Sequence, residues 1–186
     1  MKKLELVHTI DDSFNLVDSA PTWSKELKEK AVERQKNLLK PANSLGQLED
    51  IAVFLSSWGK KTMKDMEKIS TIVFAGNHGV CRQSINPFPQ EVTFQMVETF
   101  KLGKAAINKI CESNEINLEV IPIDLEKPTA DISIGRAMDE TEFIKSFNIG
   151  LRAVSENMDL ITLGEMGIGN TTCLLYTSPS PRDTVR

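Results

Sequence analysis

Between Leu45 and Trp58 the apolar residues Leu45, Leu48, Ile51, Ala52, Leu55 and Trp58 recur at helical spacing. Ser44-Leu45-Gly46-Gln47 has the spacing of a capping box, in which the Ser and Gln side chains satisfy free backbone N–H groups, so a helix is predicted over Ser44–Trp58. Upstream, Trp23–Lys40 reads as a charged helix ended by Pro41, its lysines interleaved with Glu26, Glu29 and Glu33 as on a solvated face. Further along the pattern shortens. Thr71–Gly76 is a β-branched apolar run that reads as a buried strand, followed by a loop, Asn77–Val80. Pro87, Pro89 and Gln90 prepare a helix with Val92, Met96, Val97 and Phe100 on its apolar face. Gly103 separates it from a second helix, Lys104–Glu112. Leu118–Asp124 is a second strand, and Pro122 places it at an edge or shortens it. Asp139–Glu142 can cap a helix running to about Ala153, and Leu160–Leu163 is a third strand leading into Gly164.

Strands that alternate with helices imply an α/β fold with a largely parallel sheet flanked by helices. The helices before the first strand read as a separate layer or small helical subdomain. The expected organisation is a helical segment over 1–65, an α/β domain over 66–172 and a biased tail over 173–186.

Composition narrows the function classes. The 186 residues carry 22 basic and 26 acidic side chains, and a net charge of −4 does not favour a phosphate-backbone partner, so no nucleic acid is expected. No stretch reaches eighteen consecutive apolar residues, and Met1–Glu5 lacks a signal-peptide pattern, which makes a cytoplasmic protein with no membrane contact the default. Cys81, Cys111 and Cys173 are too few and too scattered for a disulfide framework or a metal site, and His8 and His78 are the only histidines.

Two segments could carry chemistry. In Gly164-Glu165-Met166-Gly167-Ile168-Gly169-Asn170-Thr171-Thr172 three glycines follow a strand and precede a Thr pair. Glycine allows an anion close to the backbone, and free N–H groups at a helix start would face it. From spacing alone a phosphate site and an unliganded strand-to-helix turn are equally compatible. The string is neither GxGxxG nor a Walker loop. Glu165, read as part of this loop, either handles a proton or caps the helix. The second segment, Phe74–Val80, is also a loop after a strand, where ligand sites of α/β folds gather. His78 there is either structural or a proton carrier. Gln90 either meets a heteroaromatic ring or fills a helical turn.

These residues resemble a known family. Leu39–Glu49 is similar to its KPxGSLGxLE segment, and Phe74–Val97 to its FAGDHGV…YPQEVTxQMV block. Gly103–Asn108 is similar to its GGAAIN, and Leu163–Thr172 to its LGEMGIGNTT string. Four blocks in order identify the chain as similar to the nicotinate-nucleotide:dimethylbenzimidazole phosphoribosyltransferases. The resemblance implies a Rossmann-like α/β domain with a smaller helical domain, a homodimer, and no metal or cofactor. The implied reaction moves 5-phosphoribose from nicotinate mononucleotide to 5,6-dimethylbenzimidazole. A base takes the benzimidazole proton, the other ring nitrogen attacks C1′ with inversion, and nicotinate leaves. The resemblance makes Gly167, Ile168, Gly169, Asn170, Thr171 and Thr172 the phosphate loop and Glu165 an assisting acid. It puts Gln90, Met166 and His78 at the base pocket, with no proton chemistry assigned to His78.

The chain also departs from the family pattern. Asn77 stands where the family usually has Asp, and Asn43 replaces a common glycine. Family members are considerably longer, and their main catalytic glutamate has no counterpart here. Pro179 and Pro181 do not suit the helix that follows the loop in the family. Cys173–Asp183 resembles translated adapter read-through, and the expectation is that native sequence stops near Thr172. A truncated chain of this kind is expected to leave uncovered apolar faces and to be inactive alone. The alternatives are a non-catalytic nucleotide- or azole-binding α/β module and a generic α/β domain with an unliganded turn.

Overall fold

A computed structural model describes residues 5–59, 66–155 and 157–177. The chain divides into two units, one of residues 14–67 and one of residues 1–13 with 68–186. The predicted tail beyond residue 177 lies outside the described residues.

In the smaller unit, α2 (Lys25–Asn37) and α3 (Gln47–Trp58) pack on each other. Ser24 caps α2 by accepting from the Leu27 N–H at 3.2 Å. The start of α3 corrects the sequence reading: the Ser44 capping box does not form. Gly46, at φ +54, occupies the cap, a conformation only glycine adopts cheaply, and it pushes the first helical residue back to Gln47. Glu49 therefore becomes the third residue of the helix. Its carboxylate reaches back to the Leu45 N–H at 3.1 Å and to Lys40 Nζ at 2.8 Å, and these partners hold it below the usual carboxylate range. Asn43 sits at φ +60, so the family glycine is replaced by the residue that best tolerates a left-handed backbone. The apolar stripe of α3 is half exposed along its length, at Leu48, Ile51, Phe54 and Trp58.

The larger unit begins with Val7, buried and bonded through its N–H to Asn148 Oδ1 at 2.9 Å, and with the first turn of α1 (Ile10–Asp18), capped by Thr9 and Asp12; from Phe14 onward α1 belongs to the smaller unit. Its sheet holds β1 (Ile69–Ala75), β2 (Asn117–Pro122) and β3 (Leu160–Met166), all parallel, in the order β2-β1-β3. β1 is central and reads as a continuous apolar run because both of its faces are covered; Ile72 and Ala75 are fully buried. β2 lies on an edge and ends at Pro122, as its proline required. Between β1 and β2 run α4 (Glu91–Lys101) and α5 (Ala106–Ser113). Val97 and Phe100 of α4 join Val73, Ala75, Ala105 and Leu125 in the core, with Met166 packed against them. Between β2 and β3, α6 (Glu140–Ala153) starts in a capping box in which Asp139 and Glu142 bond each other's backbone at 2.8 and 3.1 Å. α7 (Asn170–Thr177) follows β3. Among the described residues no helix is long and apolar enough to cross a membrane.

Candidate functional site

From β1 the chain crosses to one neighbour, and it later returns to place β3 on the other side. The loops after β1 and β3 therefore leave the same end of the sheet at a topological switch point, the usual ligand crevice of open parallel sheets. The segment after β2 covers this crevice: Ile123 N–H bonds Ala75 O at 2.7 Å, and Thr129 N–H bonds Asn77 O at 3.2 Å. Two adjoining cavities result. One, of about 330 Å³, is lined by Phe74, Gly76, His78, Ile123, Thr129, Ile132, Met138, Glu165, Asn170, Cys173 and Leu174, among others. The other, of about 200 Å³, shares Gly76, His78, Ile123, Thr129 and Met138 and is rimmed by the ion pairs Lys127–Glu142 and Lys145–Asp124.

The β3 loop is tight. A Cβ on Gly167 would lie 1.9 Å from Gly76 O and 2.6 Å from Asn170 Oδ1, so only glycine lets the two loops touch. Gly169 has φ +96, and a Cβ there would come within 2.7 Å of Cys81 Sγ. Within Gly167–Thr172 the N–H groups are not equivalent. Ile168 donates to Thr93 Oγ1 at 3.1 Å and Asn170 to Gly167 O at 3.1 Å, so both are engaged inside the protein. Thr171 and Thr172 lie exposed in the first turn of α7, where a helix offers its N–H groups no carbonyl. This is the arrangement that draws an anion.

Glu165 is not in the loop, which corrects the sequence reading. β3 continues to Met166 because pairing with β1 persists through Phe74↔Glu165 and Ala75↔Met166. The carboxylate stands at the strand's end on the wall of the larger cavity, and partial burial pushes its pKa above the usual carboxylate value. His78 Nε2 lies 2.5 Å from Asn170 Oδ1, and burial pushes its pKa below the usual imidazole value, the bond to Asn170 opposing more weakly. Gln90 donates to His78 O at 2.6 Å, and Met166 packs in the core; neither lines the two cavities. Asn77 is buried and donates from Nδ2 to Leu125 O at 2.8 Å, which a carboxylate could not do, while its Oδ1 has no hydrogen-bond partner.

Sequence reasoning missed several contributors. Thr93, fully buried in the apolar face of α4, holds Ile168; its trace was a polar residue at a position the helical period assigns to the core. Cys81 Sγ donates to Ile168 O at 2.9 Å. Buried Asp131 accepts from Gln83 Nε2 at 2.7 Å and from Ser133, which holds its pKa low and ties the covering segment to the turn Gly79–Gln83.

A family model described as phosphoribosyltransferase matches residues 20–175. A nicotinate-nucleotide–dimethylbenzimidazole phosphoribosyltransferase of Rhodobacter capsulatus is 43% identical over 157 residues, which is 84% of this chain and 47% of that protein. One of Brucella anthropi is 44% identical over 162 residues, covering 87% and 48%. A crystal structure of the enzyme from Thermus thermophilus superposes with a TM-score of 0.67 at 30% identity, covering 80% of this chain and 51% of that one. The chain spans about half the length of the curated relatives it matches.

Proposed function

Since this chain belongs to the nicotinate-nucleotide–dimethylbenzimidazole phosphoribosyltransferase family, we propose that the protein transfers 5-phosphoribose from nicotinate mononucleotide to 5,6-dimethylbenzimidazole, making α-ribazole 5′-phosphate and nicotinate for cobalamin's lower ligand. The observation that carries this reading is the cavity of about 330 Å³ at the switch point, lined by Glu165 at the end of β3 and by Asn170 at the start of α7. Its size falls within the range of about 300–1,000 Å³ usual for small-molecule sites. The mononucleotide phosphate sits on the start of α7, held by N–H and hydroxyl groups of Thr171 and Thr172 with Gly167, Ile168, Gly169 and Asn170 shaping the turn. The azole lies in the apolar part of the cavity. A benzimidazole ring nitrogen attacks C1′ as the C1′–N bond breaks, its electron pair going to the nicotinate nitrogen. The proton of the other ring nitrogen passes to a carboxylate. Glu165, at the strand end on the cavity wall, assists, and the main base is a glutamate of the family's C-terminal half. The functional unit is a cytoplasmic homodimer.

Titration calorimetry with nicotinate mononucleotide and nicotinate riboside tests the phosphate assignment. Binding prefers the mononucleotide, and Gly169→Asp, which adds a strained, anionic side chain beside the turn, abolishes that preference. Equal affinity for both ligands in the unaltered protein refutes the assignment. Mononucleotide binding with no α-ribazole phosphate formed by the protein of the whole reading frame favours the non-catalytic binding module instead.

A further inference from the structure

Resting on the phosphate reading above, we infer that His78 is a positioning residue for phosphate recognition: its ring Nε2–H fixes the Asn170 side-chain oxygen, so that the Asn170 amide nitrogen is presented to the phosphate-bearing ligand.

Three contacts converge on this assignment. His78 Nε2 lies 2.5 Å from Asn170 Oδ1, joining the loop after β1 to the first residue of α7 across 92 positions of sequence. The same oxygen is seated against Gly167, where a Cβ would stand 2.6 Å away, so one branch of the amide is held from two sides. The other branch is Nδ2 with its two donors, and both Asn170 and His78 line the larger cavity. Asn170 is only 7% exposed, so its amide has little freedom to exchange the two branches.

The support behind His78 is built for fixed geometry. Gln90 grips the His78 carbonyl at 2.6 Å, and Thr93, one turn further along α4, grips Ile168 N–H at 3.1 Å. A single face of one helix thus anchors both loops at a constant separation. Burial keeps the imidazole neutral near pH 7, the form in which one ring nitrogen donates and the other accepts. His78 therefore acts through Asn170 and transfers no proton to the substrate.

The test compares nicotinate mononucleotide with nicotinate riboside on the intact protein. His78→Ala is expected to weaken mononucleotide binding about tenfold, as loss of an oriented bond to a charged group does, and to change riboside binding less than about twofold. His78→Gln, whose amide can donate in the same direction, restores mononucleotide binding to within about threefold. Equal loss for both ligands, or no loss, overturns the inference. An unaltered protein that does not distinguish the ligands defeats the phosphate reading itself, a different result. Nitrogen-15 NMR of the unaltered protein decides independently of any variant's folding: the Nε2–H tautomer supports the inference, and the Nδ1–H tautomer overturns it.

Discussion

Gly167→Ala puts one methyl group into the narrowest point of the site. Its carbon would lie 1.9 Å from Gly76 O and 3.1 Å from Gly76 C, both backbone atoms that cannot swing aside. The loops after β1 and β3 must part by more than about 1 Å to reach ordinary contact. That parting breaks the Gly76 N–H to Met166 O bond at 3.0 Å and the His78–Asn170 bond at 2.5 Å. Overpacking costs about 1–3 kcal/mol and each of the two broken hydrogen bonds about 1 kcal/mol, so the α/β unit should lose about 3–5 kcal/mol. Trp23 and Trp58 lie in the other unit, so tryptophan fluorescence does not report on this loss. Amide exchange of Ile72 and Val73 in the central strand does, because those amides open only when the sheet does. Gly150→Ala in α6 is the matched control. Nothing lies within 4 Å of its added carbon, and the same substitution there should stabilise by about 0.5–1 kcal/mol. If Gly167→Ala changes protection at Ile72 and Val73 by less than about 0.5 kcal/mol, a typical surface effect, the tight apposition of the two loops is wrong.

The buried hydroxyl of Thr93 and the imidazole of His78 supply two further expectations. Thr93→Val keeps the shape of a fully buried side chain but strands the Ile168 N–H, so it should cost about 1–3 kcal/mol and loosen mononucleotide more than riboside binding; unchanged stability would exclude that bond as a support of the turn. For His78, whose folded pKa lies below its ordinary value of about 6.5, the unfolded chain binds more protons just below that pH, so stability falls as pH drops from about 7.5 to about 5.5. The raised Glu165 works in the opposite direction from about pH 4.5 upward, while the lowered carboxylates of Asp131 and Glu142 lose their contribution only at more acid pH. Urea midpoints at the two pH values should therefore differ more in the unaltered protein than in His78→Gln, and parallel differences would refute this assignment.

Much of the fold was legible because it is written locally. The β-branched run before Gly76 became the central strand, Asp139 and Glu142 formed their capping box, and Pro122 closed an edge strand. Each depends on residues within a few positions of one another. Where local signals competed, the reading failed. Ser44 offered a helix start, but the backbone freedom of glycine put the cap at Gly46 instead. Glu165 looked like loop because Gly164 ordinarily ends a strand, yet pairing with β1 carried β3 two residues further.

The sequence by itself determined the alternation of strands and helices, the family and the two loops that flank the candidate site, because hydrophobic period, turn residues and motif spacing are short-range properties. The tertiary structure alone decided which groups of those loops are free to act. Thr93 holds Ile168 from 75 residues away and His78 holds Asn170 from 92, and the segment after β2 forms the cavity wall. Such pairings are absent from any local window, since parallel strands bring distant loops to one end of a sheet only after the chain between them has crossed over.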